Sequence, residues 1–209
     1  MPPDNYFKRL RKLLERHEIL LVDDEAQSGV GRTGRWFAIE NFDTTPDMVL
    51  VAESLSAGLP LGALVARSEL MDWEPGSHST TSGGNVVACA VALEVVRAIR
   101  EEHMLENAAR QGNYILKRLR EMQQKHEIIG DVRGKGLMVG VEIVEDRKTK
   151  AFGREKANEI MTKSWRRGVA VVLCGQSTIR IAPPLLITRD LLDSALDIVE
   201  GAIKEVSKT

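Results

Sequence analysis

Several things are scarce in this chain of 209 residues, and each scarcity removes a class of protein. Aromatic residues make up only 4%, and Lys+Arg 29 against Asp+Glu 30 leaves a net charge of -1. No basic stretch interleaves with aromatics, so a nucleic-acid partner is not expected. No apolar run approaches the roughly 18 uninterrupted residues that a membrane span needs, and the first residues carry no basic stretch ahead of an apolar one, so no membrane partner and a cytoplasmic location are expected. Cysteine occurs twice. Cys89 and Cys174 lie far apart among small and apolar residues, where two buried free thiols are expected and neither a disulfide framework nor a metal site is. Lysine is missing from position 13 through 116, which leaves that long stretch without a side-chain amine. With 43% hydrophobic residues the chain can bury one large core or two modest ones.

What is present has a regular order. Tyr6, Phe7, Leu10, Leu13 and Leu14 recur at helical spacing, with Asp4 placed to cap them. Ile19-Leu20-Leu21-Val22 is a branched apolar run that stops at two aspartates, as a strand buried on both faces would. Met48-Val49-Leu50-Val51 and Ala63-Leu64-Val65-Ala66 repeat the pattern, and three such runs on long connections suggest part of a mostly parallel sheet. From Val86 to about Gln124 the chain reads as continuous helix, bridging two lobes. Leu137 to Ile143 then reads as strand, Arg154 to Arg167 as helix, Val169 to Leu173 and Thr178 to Ile181 as strands, and Thr188 onward as a final helix with Leu191, Leu192, Ala195, Leu196, Ile198, Val199 and Ile203 inward.

Four segments carry candidate chemistry. Asp23 and Asp24 close the first strand, where open parallel sheets place ligand-binding groups, although a lone Asp-Asp is more often a pair of solvated carboxylates. Gly29-Val30-Gly31-Arg32-Thr33-Gly34 spells a dinucleotide fingerprint, yet six residues separate it from Val22 and three acidic residues precede it, which is the wrong register and charge for a pyrophosphate. His78-Ser79-Thr80-Thr81-Ser82-Gly83-Gly84-Asn85 sets hydroxyls and free N–H groups ahead of a helix, which suits either an anion or a plain N-cap. Arg180, in an apolar strand before Pro183-Pro184-Leu185, is either an ion-pair partner or a fork for a carboxylate.

Together with Ala52-Glu53-Ser54-Leu55 and Gly58-Leu59-Pro60-Leu61-Gly62-Ala63, these segments resemble the class III pyridoxal-phosphate-dependent aminotransferases, of the ornithine, acetylornithine and 4-aminobutyrate type. The resemblance implies an α/β chain: the later part of a fold-type-I large domain over 1–130, its sheet mostly parallel, and an α+β C-terminal domain over 131–209. It implies pyridoxal 5'-phosphate as cofactor, amino-group transfer from an amino acid or ω-amino acid to a 2-oxo acid, and a homodimer. Asp24 would bond the pyridine nitrogen so that the ring withdraws electrons. Ala26 would lie at the ring face, where valine is usual, and Gln27 would reach the ring hydroxyl. Thr81 would bind the phosphate of the neighbouring subunit's cofactor, although Ser82 and Val86 replace the aromatic and proline of that motif. Arg180 would hold the substrate carboxylate or pair with a gating glutamate that would fall before position 1.

Position 53 is where the family has the lysine that holds the cofactor as an imine and later shuttles the proton. Glu53 has no amine, so covalent cofactor binding is not expected and the family reaction is expected to be impaired. The resemblance also covers only the later part of the family's chain. A strand stripped of its neighbour exposes unpaired backbone and apolar surface. Association with a copy of itself, with a homologue as a noncatalytic subunit, or with a complementary half is therefore expected, a nonfunctional truncated remnant being the remaining alternative.

Overall fold

The computed structural model describes residues 1–208, apart from the side chain of Glu53. The chain divides into two compact units, Pro2–Leu105 and Glu106–Thr209.

The first unit opens with helix α1 (Tyr6–Arg16), whose N-cap is Asn5 rather than Asp4 and makes no side-chain capping bond. Strands β1 (Val22–Asp24), β2 (Met48–Val51) and β3 (Ala63–Ala66) form a sheet in that order, β1 parallel to β2 and β2 antiparallel to β3. Helix α2 (Val86–Glu101) ends the unit, with Asn85 accepting from the amides of Val87 and Ala88 at 3.0 and 3.2 Å. β2 and β3 fall where the sequence pattern places them. The first strand does not. Ile19 closes the end of α1 instead, since Glu18 takes a left-handed φ of 53° and the Ile19 amide bonds back to the Leu14 carbonyl at 3.0 Å, and Leu20 lies before the strand. Nor is β1 buried on both faces, because Val22 is 49% exposed.

The second unit contains most of helix α3 (Met104–Lys125), then β4 (Ile129–Lys135), β5 (Met138–Asp146), β6 (Ala151–Phe152), α4 (Arg154–Arg166), β7 (Val172–Cys174), β8 (Thr178–Ile181) and α5 (Arg189–Val206). Its sheet runs β4-β5-β8-β7, with β6 on β5, and all its pairings are antiparallel. Alternation sends Val139, Val141, Ile143, Ile179 and Ile181 into a core shared with Ile115, Leu119 and Met122 of α3 and Leu192, Leu196, Val199 and Ile203 of α5. Leu191 lies off the inward stripe and is 63% exposed. Cys174 is exposed too, and Cys89 of the first unit only half-buried, so the expectation of two buried thiols fails; Cys174 pairs with Thr178 on the polar face of an edge strand.

The single helix read from Val86 to about Gln124 is two helices. His103 takes a φ of 51° between them, a conformation that ends α2 and restarts the chain as α3. The compact units divide at Leu105, not at residue 130, because α3 shares its core with the β4–β5 hairpin. Gly112 permits that packing: a Cβ there would come within 2.1 Å of the Gly136 carbonyl oxygen.

One carboxylate organises the entry to the first sheet. Asp47, buried just before β2, accepts from both Nη atoms of Arg11 on α1, from Arg67 after β3 at 2.9 Å, and from the Leu21 amide at 2.8 Å. Its own amide donates to the Leu21 carbonyl at 2.8 Å. Nearby, Lys8 bonds Asp43 at 2.9 Å and Phe7 packs on Phe42 with ring centroids 4.9 Å apart. Helix, strand entry and strand exit therefore converge on residue 47, and the Arg11 guanidinium holds its carboxyl below the usual carboxylate range.

Asp47→Asn is expected to lower the unfolding free energy of the first unit by about 2 kcal/mol at pH 7, in line with losing charge-assisted hydrogen bonds to a buried group. Because the folded-state pKa is depressed, this contribution is present above the unfolded value, about 3.9, and is lost as pH falls through the lower folded value. Urea denaturation of the native chain and the variant at several pH values checks this, the gap narrowing in acid.

Candidate functional site

The parallel pairing of β1 with β2 sets the candidate site. Asp24 is the last residue of β1 and lies in register with Leu50, while position 53 opens a 3₁₀ turn, Glu53–Ser56, directly after β2. Both positions thus stand at the carboxyl ends of adjacent parallel strands, where open sheets place ligand crevices. The side chain of Glu53 lies outside the described residues; its backbone place does not. Ser56, buried beneath the turn, donates to the Leu59 carbonyl at 2.5 Å and fixes the return toward β3.

Alternation puts the two aspartates on opposite faces. Asp24 is exposed and accepts from the Ala26 amide at 3.1 Å, a local turn that leaves its other carboxylate oxygen available. Asp23 points the other way, with Oδ2 buried and without a hydrogen-bond partner. Burial first, then hydrogen bonding to Glu25 and the charges of Glu25 and Asp24, push its carboxyl up to about 7.

Glu25, which the sequence pattern did not single out, builds the loop that follows. It is 1% exposed, accepts from Ser28 Oγ at 2.5 Å and from the Ile39 amide at 2.9 Å, and its carbonyl accepts from the Gly29 amide at 2.9 Å. A Cβ at Gly29 would lie 2.8 Å from that carbonyl oxygen, so glycine is needed for the chain to turn this tightly. Asn41 donates to Thr33 at 3.1 Å, and the Arg100 guanidinium of α2 sits 5.6 Å from the Trp36 ring centroid. These contacts make the Gly29 to Gly34 segment part of a closed loop that leads to a 3₁₀ turn at Ala38–Phe42. No α-helix opens at Gly34, so the dinucleotide fingerprint lacks the dipole its phosphates would require.

Ala26 is half-buried and Gln27 exposed on the same turn as Asp24. Thr81 lies in an exposed stretch between β3 and α2, and the cap of α2 is supplied by Asn85. The structure therefore brings Asp24, Ala26 and Gln27 together at the carboxyl end of β1, the end of the sheet at which β2 leads into position 53. Arg180 belongs to the second unit, on β8 opposite Gly140 of β5 and Val172 of β7. In the next row of that sheet face, Glu142 accepts from Arg133 at 2.7 Å, from Ser177 at 2.7 Å and from Thr178. Those bonds draw its carboxyl below the usual range, outweighing its burial. Among the described residues no cluster of metal-ligating side chains occurs, and no helix is long and apolar enough to cross a membrane.

Asp23→Asn is expected to stabilise the chain at pH 8. With the folded pKa raised, the folded state holds a proton that the unfolded state releases, so native stability falls as pH rises from about 4 to about 7 and stays low above it. Thermal unfolding from pH 4 to 8 should show a fall for the native chain that the variant lacks, and parallel curves would refute the assignment.

A sequence model of the family described as aminotransferase class-III matches residues 1–203. The leucine/methionine racemase of Thermococcus litoralis is 46% identical over 209 residues, covering 100% of this chain and 47% of that protein. The acetylornithine aminotransferase of Methanopyrus kandleri is 39% identical over 205 residues, covering 98% and 50%. Among solved structures, a transaminase from the marine bacterium Virgibacillus superposes with a TM-score of 0.94 at 32% identity, covering 100% of this chain and 50% of that one. The chain spans about half the length of the curated relatives it matches.

Proposed function

The chain belongs to the class-III aminotransferases, and from that premise we propose that it retains groups able to recognise a pyridoxal 5'-phosphate ring while lacking the amine needed to turn over an amino acid. The observation that carries this reading is the residue at position 53. The turn after β2 begins with glutamate, and the first unit's lysines, Lys8 and Lys12, both lie on α1.

The residues present fit the cofactor in one respect and fail it in another. An accessible carboxylate at the end of β1 suits a protonated ring nitrogen, and Gln27 on the following turn suits the ring hydroxyl. A carboxylate at 53 can neither form the covalent link nor act as the amine that carries the proton. The proposed ligand class is therefore the cofactor held without a covalent bond, together with amino acids or 2-oxo acids whose carboxylate would fall to Arg180. Homo-oligomer formation, with Thr81 serving a neighbour's cofactor phosphate, belongs to the same proposal. Relatives named as racemases and as aminotransferases share amino acids as substrates, and the proposal denies both reactions to this chain on its own.

Loss of α-hydrogen tests it. In deuterated buffer with pyridoxal phosphate, leucine, methionine and alanine should exchange their α-proton no faster with the chain than with the cofactor alone, as followed by proton NMR. Glu53→Lys should gain a borohydride-fixed adduct at residue 53, and adding Asp24→Ala should diminish it. Exchange above the cofactor control by the native chain would overturn the proposal.

A further inference from the structure

The loop that leaves β1 is anchored at its start by an acid, and a second acid stands beside it. The Glu25 amide bonds the Leu50 carbonyl at 2.9 Å, which carries the strand's alternation past Asp24 and sets Asp23 and Glu25 on one face. One oxygen of Glu25 accepts from Ser28 Oγ at 2.5 Å and the other from the Ile39 amide at 2.9 Å. Asp23 also bonds Glu25. Two carboxyl groups can bond each other only across a proton, so the pair holds one between them. Oδ2 of Asp23 lies buried without a hydrogen-bond partner, and no donor is in place there to receive a charge.

The surroundings offer that charge no cation. Among the described residues the charges acting on Asp23 are those of Glu25 and Asp24. The paired strand β2 presents Met48, Val49, Leu50 and Val51, and Asp47 ahead of it is taken up by Arg11 and Arg67. On the loop, Glu40 turns to the Phe37 amide at 2.7 Å, and Arg35 acts on Asp43. The loop is also strained. Val30 is buried at a φ of 52°, a left-handed conformation that branched side chains rarely adopt, so closure carries a cost that its anchors must offset.

We infer that Asp23 is a positioning residue: the proton it shares with Glu25 keeps the turn carrying Ala26 and Gln27 closed, and its loss to solvent sets two carboxylates against each other and releases the Ser28 and Ile39 bonds. Solvent pH thereby becomes a latch on the loop. While the loop is closed, burial and Glu25 push Asp23 up to about 7, whereas an Asp23 exposed by opening titrates at about 3.9. The closed loop therefore binds a proton that the open loop gives up. Opening becomes easier as pH rises from about 4 to about 7 and levels off above that. How the turn is held does not depend on what it binds, so the α-proton assay on amino acids can fail without touching the latch.

Residue-resolved amide hydrogen exchange of the whole chain from pH 5 to 8, corrected for the intrinsic effect of pH on exchange, tests the latch. The Gly29 and Ile39 amides, bonded to the carbonyl and the carboxyl group of Glu25, should lose about tenfold or more in protection between pH 5 and 7 and little above it. At each pH they should exchange ahead of the Leu21 amide held by Asp47, whose carboxyl stays ionised over this range, so that the loop opens with β1 in place. Asp23→Asn can donate to Glu25 and has no proton to lose, so its protection at both amides should not change with pH. Glu25→Gln removes the like charge and should shrink the step, and the double variant should be as flat as Asp23→Asn. A flat profile for the native chain, a step that survives Asp23→Asn, or Gly29 and Ile39 exchanging at the rate of Leu21 would each overturn the proposal.

Discussion

The parallel pairing of β1 with β2 is the constraint on which the candidate site depends. It brings Asp24 and position 53 to one end of the sheet, and it is held at both ends by a buried carboxylate. Asp47 clamps the start, gathering Arg11, Arg67 and the Leu21 amide. Glu25 clamps the finish, bonding Ser28 and the Ile39 amide so that the turn carrying Ala26 and Gln27 is fixed beneath Asp24. Their work is positional, and each buried carboxyl group is met by several donors, the condition under which its burial is tolerated.

Much of the fold was legible because local pattern and tertiary role agree. Met48–Val51, Ala63–Ala66 and Thr178–Ile181 are short apolar runs that became strands where they stand, and the last helix starts where it was expected, with Thr188 as its N-cap. Misreadings arose where a backbone conformation not tied to glycine intervened. Glu18 and His103, both at positive φ, moved the first strand and split the long helix. Glu25 and Asp47 were invisible for a different reason: an acidic residue in a polar loop looks solvated until its donors, 14 and up to 36 positions away in sequence, are brought to it.

The candidate site divides along the same line. Asp24, Ala26 and Gln27 could be named from a contiguous motif, and the fold places them on one turn. Asp23 could not be told from Asp24 until alternation sent them to opposite faces and buried one of them, with the consequence that a carboxylate next to the candidate ring-binding residue titrates near neutrality. Position 53 divides from them in another way: its place after β2 is given by the fold, while its meaning rests on the family resemblance.

The claim at the centre is that no side chain between residues 13 and 116 carries an amine that could hold the cofactor as an imine. Intact and peptide mass spectrometry after incubation with pyridoxal phosphate and borohydride addresses it directly. The account predicts no pyridoxyl mass on any peptide from that stretch. A stoichiometric adduct there, on Glu53 or on any neighbour, would contradict it.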